Sequence, residues 1–166
     1  MNYAMTQCGY PEHTLDEVRR YVGNGILLLM QRAIPGGKDD PNFDKAFTLF
    51  KEHYGKHCND TTKPYAGIME LLRTLKENNI KIAIVSNKAD FAVKELNAIY
   101  FKDLIPVAIG EKESEGIRKK PAPDTVIEAL KQLGSTAENS VYIGDSDVDI
   151  ETARNSGMDE IPVSYT

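Results

Sequence analysis

Cysteine is nearly absent from the 166 residues: Cys8 and Cys58 are the only two. Two cannot make a disulfide framework, so a reducing, cytoplasmic setting is the default expectation. Long apolar runs are missing as well. The longest, Ile26 to Met30, falls far short of the ~20 residues that span a bilayer, so no membrane partner is expected. The opening Met1-Asn2-Tyr3-Ala4-Met5-Thr6 has no basic stretch followed by an apolar one, and no secretory signal is visible. Internal repeats and low-complexity tracts are absent. Positive charge is not in excess: 25 acidic against 20 basic residues leave a net charge of −5, which argues against nucleic acid as the main partner. What is present is a 41% apolar content, too high for a disordered chain and accompanied by too much charge for a membrane one. The length suits one ordinary domain or a small core carrying an insert.

The character of the chain changes near Thr61. Residues 1–62 read as a helical bundle. Met1 to Cys8 ends a helix at Gly9. Thr14-Leu15-Asp16-Glu17 fits a capping box and opens a helix to about Val22. Gly23-Asn24-Gly25 interrupts it, Ile26 to Ile34 resumes, and Pro35-Gly36-Gly37 is a turn. Asn42 to Cys58 is a longer helix with Phe43, Ala46, Phe47, Phe50 and Tyr54 on one face. Residues 63–166 alternate strand and helix. Gly67 to Lys76 is a helix with Ile68, Leu71, Leu72 and Leu75 inward. Lys81 to Ser86 is a short apolar run, as expected of a strand buried on both faces. A helix from Asp90 to about Tyr100, a strand from Leu104 to Ile109, and a helix introduced by Pro121 and Pro123 and closed by Gly134 follow. Val141 to Ile143, Asp149 to Asn155 and Ile161 to Ser164 give strand, helix, strand. This order implies an α/β fold with a parallel sheet and helices on both faces.

In an open parallel sheet, ligands bind beyond the carboxyl ends of the strands. Two strands end there in polar residues. One ends Val85-Ser86-Asn87-Lys88. The other ends Ile143-Gly144-Asp145-Ser146-Asp147-Val148-Asp149. Carboxylates this close repel one another unless solvated or neutralised. Oxygen-rich clusters suit Mg²⁺, which prefers one or two carboxylates plus phosphate and water. The same segment also fits a solvated acidic turn at a helix N-terminus. A third element is Lys119-Lys120-Pro121-Ala122-Pro123-Asp124. Pro121 restrains the backbone after Lys120, and an ammonium so placed can neutralise a phosphate as a point charge. Alone, it is equally a surface lysine before a helix.

Taken together, these three segments resemble the haloacid dehalogenase superfamily, in the branch of the phosphoglycolate phosphatases. Ser86 in Ile-Val-Ser-Asn-Lys is similar to the family's second motif, Lys120 in Lys-Pro-Ala-Pro to the third, and Gly144-Asp145-Ser146-x-x-Asp149 to the fourth. Pro64-Tyr65-Ala66-Gly67 resembles the re-entry into the core. Val22-Gly23-Asn24-Gly25 resembles the cap loop that faces the substrate. The resemblance implies a Rossmann-like parallel sheet with an α-helical cap over residues 1–62. It implies a phosphatase of small phosphorylated metabolites, with 2-phosphoglycolate favoured, working through an aspartyl-phosphate. Ser86, Asn87 and Lys120 would hold phosphate, with Ser86 and Lys120 acting in catalysis. Asp145 and Asp149 would serve Mg²⁺, Asp145 directly and Asp149 through water or by orienting Lys120. A sugar-phosphate phosphatase or phosphomutase of the same fold is the nearest alternative. A silent module that binds phosphate or Mg²⁺ without turnover is another.

One departure from the family pattern stands out. The Asp-x-Asp-Gly-Thr motif that carries the attacking aspartate on the first, central strand does not occur in the 166 residues. The resemblance thus implies a chain truncated at both ends, without a nucleophile and inactive alone, that binds Mg²⁺ weakly. Strands flanking a missing neighbour would stand roughly 9.6 Å apart. The expectation is an empty slot, a closed-up sheet, or a slot filled by another segment or chain. Smaller signals are set aside. His53, His57 and Cys58 lack the full His-Glu-x-x-His pattern and read as helix side chains. Gly36-Gly37-Lys38 lacks the serine or threonine of a phosphate loop, and Ile150 stands where a calcium loop needs glycine. Cys8 reads as a small packed thiol.

Overall fold

The structure, a computed structural model, describes residues 1–22 and 25–164. It divides into two compact units, one from Met1 to Lys63 and one from Pro64 onward.

The first unit is helical, with no strand among its described residues. Helix α1 spans Asn2–Gln7 and stops at Gly9, whose φ of 76° is open to glycine without strain. Helix α2, Leu15–Tyr21, begins with the expected capping box: Thr14 Oγ1 accepts from the Glu17 N–H at 3.3 Å and Glu17 Oε2 accepts from the Thr14 N–H at 2.8 Å. Helix α3 covers Ile26–Ala33 and α4 covers Phe43–His57. The core joins Ala4 and Met5 of α1, Met30 and Ala33 of α3, and Phe43, Ala46 and Phe50 of α4, with Phe47 and Tyr54 packed against it. This is the face that the spacing of α4 predicts. Gly25 precedes α3 with φ 88°; its loop partners Gly23 and Asn24 lie outside the described residues.

The second unit alternates helix and strand: α5 Ile68–Glu77, β1 Ala83–Ala89, α6 Asp90–Leu96, β2 Val107–Glu111, α7 Asp124–Leu133, β3 Val141–Gly144, α8 Asp147–Asn155 and β4 Asp159–Pro162. Helix α6 runs on into a π-helical turn, Asn97–Phe101. All pairing is parallel, but it forms two separate ladders. Strand β1 pairs with β2, and β3 with β4 in the register Ile143↔Ile161. Among the described residues no ladder joins β1 to β3. Of the outcomes expected for the sheet, closure is thus not seen, and no strand among the described residues pairs with both ladders.

Several expectations are corrected. Strand β1 is half-buried along its whole length, not buried on both faces, because it has a partner on one edge only. Val141, Ile143 and Ile161 are about half exposed for the same reason. Leu71 is exposed where the helical period places it inward, leaving Leu72 as the buried residue of α5. Strand β2 starts three residues after Leu104 because the Leu104 and Ile105 N–H groups are both held by the Phe101 carbonyl at 2.8 Å. Strand β4 starts at Asp159, two residues before the apolar Ile161 that suggested it.

Candidate active site

Strand β1 carries Ser86 and Asn87 near its carboxyl end. The Ser86 Oγ accepts a hydrogen bond from the Lys88 N–H at 3.1 Å. That contact leaves the hydroxyl proton free to be donated outward. Asn87 does something the sequence does not announce. Its Oδ1 accepts from the Lys120 N–H at 2.9 Å and its Nδ2 donates to the Lys120 carbonyl at 3.0 Å. Oδ1 and one Nδ2–H of the amide are engaged by the backbone of Lys120. Asn87 thus clasps the lysine loop to the strand end, with its second Nδ2–H not engaged in that clasp.

The same loop is tied down elsewhere. Arg118 forms a two-pronged pair with Asp124 at 2.7 and 3.0 Å, and Asn155 at the end of α8 donates to the Pro121 carbonyl at 2.9 Å. The Lys120–Pro121 peptide is cis.

Lys120 Nζ then meets Asp149 Oδ1 at 2.6 Å, with side chains only 11% and 10% exposed. Asp149 sits in the first turn of α8. Its Oδ1 also accepts from the Tyr142 hydroxyl at 3.1 Å. Its Oδ2 accepts from Ser146 Oγ at 2.6 Å and from the Asp145 and Ser146 N–H groups at 3.2 Å. Burial pushes this carboxyl up, but hydrogen bonds from Lys120, Ser146 and Tyr142 outweigh it and hold it below the usual carboxylate range. A carboxylate offers about four acceptor positions, and five donors surround this one. A direct metal bond would have to displace Lys120. In this arrangement the Asp149 carboxylate faces Lys120 directly.

Gly144 makes this arrangement possible. A Cβ there would lie 2.3 Å from the Asp149 Cβ, so the turn from β3 into α8 closes only around glycine. Asp145 projects from that turn. Its exposed carboxylate carries no hydrogen bond or ion pair among the described residues. It is a hard oxygen donor of the type Mg²⁺ takes, but no cluster of three His, Cys, Asp or Glu side chains able to hold a metal exists among the described residues. The donor set suits an ion that is held by one carboxylate and completed by phosphate and water. His53 and His57 lie on α4 with rings 4.3 Å apart, and Asp60 bonds His57 at 2.8 Å; they belong to no such cluster.

Three contributors escaped sequence reasoning: Tyr142, Ser146 and Asn155. The alternation of β3 held a signal for the first. Val141 and Ile143 share one face, so Tyr142 shares the other with Gly144, the face that α8 covers.

The geometry of a lysine loop clasped to one strand end and paired with a carboxylate beyond another has relatives. The family model of the haloacid dehalogenase-like hydrolases matches residues 1–163, and the chain belongs to that family. Among curated relatives, the phosphoglycolate phosphatase of Aquifex aeolicus is 32% identical over 157 residues, covering 92% of this chain and 70% of that protein. The phosphoglycolate phosphatase of Pseudomonas putida is 28% identical over 97% of this chain, which spans only 60% of that relative's length. A crystal structure from Lactobacillus delbrueckii subsp. bulgaricus, described as a candidate phosphoglycolate phosphatase, superposes with a TM-score of 0.87 at 36% identity, over 97% of this chain and 76% of the other.

Proposed function

We propose that this site belongs to a phosphatase of small phosphorylated metabolites, with 2-phosphoglycolate as the favoured substrate. The observation that carries the reading is the placement of Lys120. Asn87 fixes its backbone beside the strand end that bears Ser86, and Asp149 fixes its ammonium. One Lys120 N–H is used by Asp149, so others remain for a phosphoryl oxygen. Ser86 donates its hydroxyl proton to a second oxygen. Preorganised donors of this kind stabilise charge without rearranging during the reaction. Asp145 would hold Mg²⁺, which when bound neutralises phosphoryl charge as a Lewis acid. The phosphatase named for the relatives agrees with this chemistry. The family resemblance supplies the aspartyl-phosphate route, in which an aspartate attacks phosphorus and water releases the product. None of the 166 residues provides that aspartate in its motif, so on their own they hold phosphate without turning it over.

The test is magnesium-dependent phosphate release from 2-phosphoglycolate and from an aryl phosphate. It compares the 166-residue chain with a version preceded by a strand and helix bearing Asp-x-Asp-Gly-Thr. Activity is expected in the second alone, with a deficit in the first on the order of 10⁴ to 10⁶. Asp→Asn at the first added aspartate abolishes it, and Lys120→Ala reduces it strongly. Comparable turnover by the 166-residue chain, sensitive to Ser86→Ala, would overturn the reading.

A further inference from the structure

We infer that Tyr142 is a positioning residue of this site: its hydroxyl and its ring confine Lys120 to the orientation from which the ammonium reaches phosphate. The inference rests on the phosphate-holding role proposed above for Lys120. Its grounds are geometric. Asp149 Oδ1 receives two donors, the Lys120 ammonium at 2.6 Å and the Tyr142 hydroxyl at 3.1 Å. An oxygen of this kind has two acceptor directions. With Tyr142 in one, Lys120 is restricted to the other. The Asp149 Oδ2 side offers no escape, because Ser146 and two backbone N–H groups fill it. The Tyr142 ring adds a second restraint, with its centroid 5.8 Å from Lys120 Nζ, inside the range of cation–π attraction. Burial, then the Asp149 charge, push the phenol above its ordinary value, in keeping with the hydroxyl donating to Asp149. The titratable groups around the pair are Asp149 on α8, Lys120 on its loop and Glu160, opposite Tyr142 in β4, with exposed Asp145 on the turn.

The experiment compares the wild-type chain with Tyr142→Phe, which keeps the ring, and Tyr142→Leu, which removes both restraints. Inorganic phosphate binding is measured by calorimetry across pH, and the Asp149 carboxyl is titrated by ¹³C NMR. In Tyr142→Phe, the Asp149 midpoint should rise and phosphate affinity should fall about tenfold, as for loss of a hydrogen bond to a charged group. The acid limb of phosphate binding should move up with Asp149, and Tyr142→Leu should bind more weakly still. An unchanged affinity and acid limb in Tyr142→Phe would overturn the inference while leaving the phosphatase reading intact. A wild-type chain that binds no phosphate would sink the phosphatase reading instead. The positioning role is then decided by acylation of Lys120, followed by mass spectrometry with Lys131 as internal control. Faster labelling of Lys120 in Tyr142→Phe supports the role, and equal labelling overturns it.

Discussion

Replacing Lys120 with methionine isolates what the ion pair does for the second unit. Methionine fills similar volume but leaves Asp149, 7% exposed, as a buried charge without its cation. Breaking a buried pair from one side costs 3 to 5 kcal/mol in general. Here Tyr142, Ser146 and two backbone N–H groups still serve Asp149, which puts the loss at the low end, about 3 kcal/mol at pH 7. The pH dependence is the sharper signature. In the native protein the Asp149 carboxyl lies below its ordinary value. It therefore adds stability that is present above about pH 4 and disappears as pH falls through the folded value. Without Lys120, burial acts against fewer opposing bonds and the carboxyl moves up. The charged form then destabilises at pH 7, and protonation relieves it. The deficit of Lys120→Met should accordingly shrink between pH 7 and pH 4. Urea unfolding followed by far-UV circular dichroism at a series of pH values reads this directly. The double variant Lys120→Met with Asp149→Asn should lose less than the sum of the single changes, since contacting residues do not add. A loss below about 1 kcal/mol, or one independent of pH, would show that the pair behaves as a solvated surface contact and would refute the argument.

Other outcomes follow from the same geometry. Gly144→Ala places a methyl 2.3 Å from the Asp149 Cβ; with no flexible end to yield, it should cost about 3 kcal/mol or more, and a thermal midpoint unchanged from wild type would contradict the close packing. Thr14→Ala removes the capping box of α2 and should cost about 1 kcal/mol locally, seen as faster amide exchange across Leu15–Tyr21, a helix with no buried residue to compensate. Calorimetry with Mg²⁺ alone should show little or no binding at low millimolar concentration, because Asp145 is a single carboxylate; tight binding abolished by Asp145→Asn would mean that further ligands converge there.

What could be read from the sequence followed the range of the interaction. The capping box at Thr14, the apolar face of α4 and the stop of α7 at Gly134, with its φ of 60°, depend on residues a turn apart. They appeared where local rules put them. Strand limits were less legible. Strand β4 is exposed along its whole length, so no apolar alternation marks its start, and hydrogen bonding to β3 alone sets it at Asp159. In the candidate site, Ser86, Lys120, Asp145 and Asp149 were singled out through their motifs. The clasp that Asn87 makes on the Lys120 backbone was not legible, because it depends on a partner 33 residues distant.

Asp149 shows what the local fold adds to a motif match. An aspartate in an acidic run after a strand suggests a metal ligand on composition. Its place in the fold turns it toward Lys120. As the third helical residue of α8 it completes a capping box with Ser146, and that geometry turns Oδ2 toward the Asp145 and Ser146 N–H groups of the turn before the helix. Oδ1 is left facing the lysine loop and Tyr142. The carboxylate thus links strand, helix and loop, and each link removes an acceptor position that a cation would need. Asp145, four residues earlier and outside the helix, keeps its oxygens free because it is not needed for capping. The different settings of the two aspartates follow from which of them lies in the first turn of the helix.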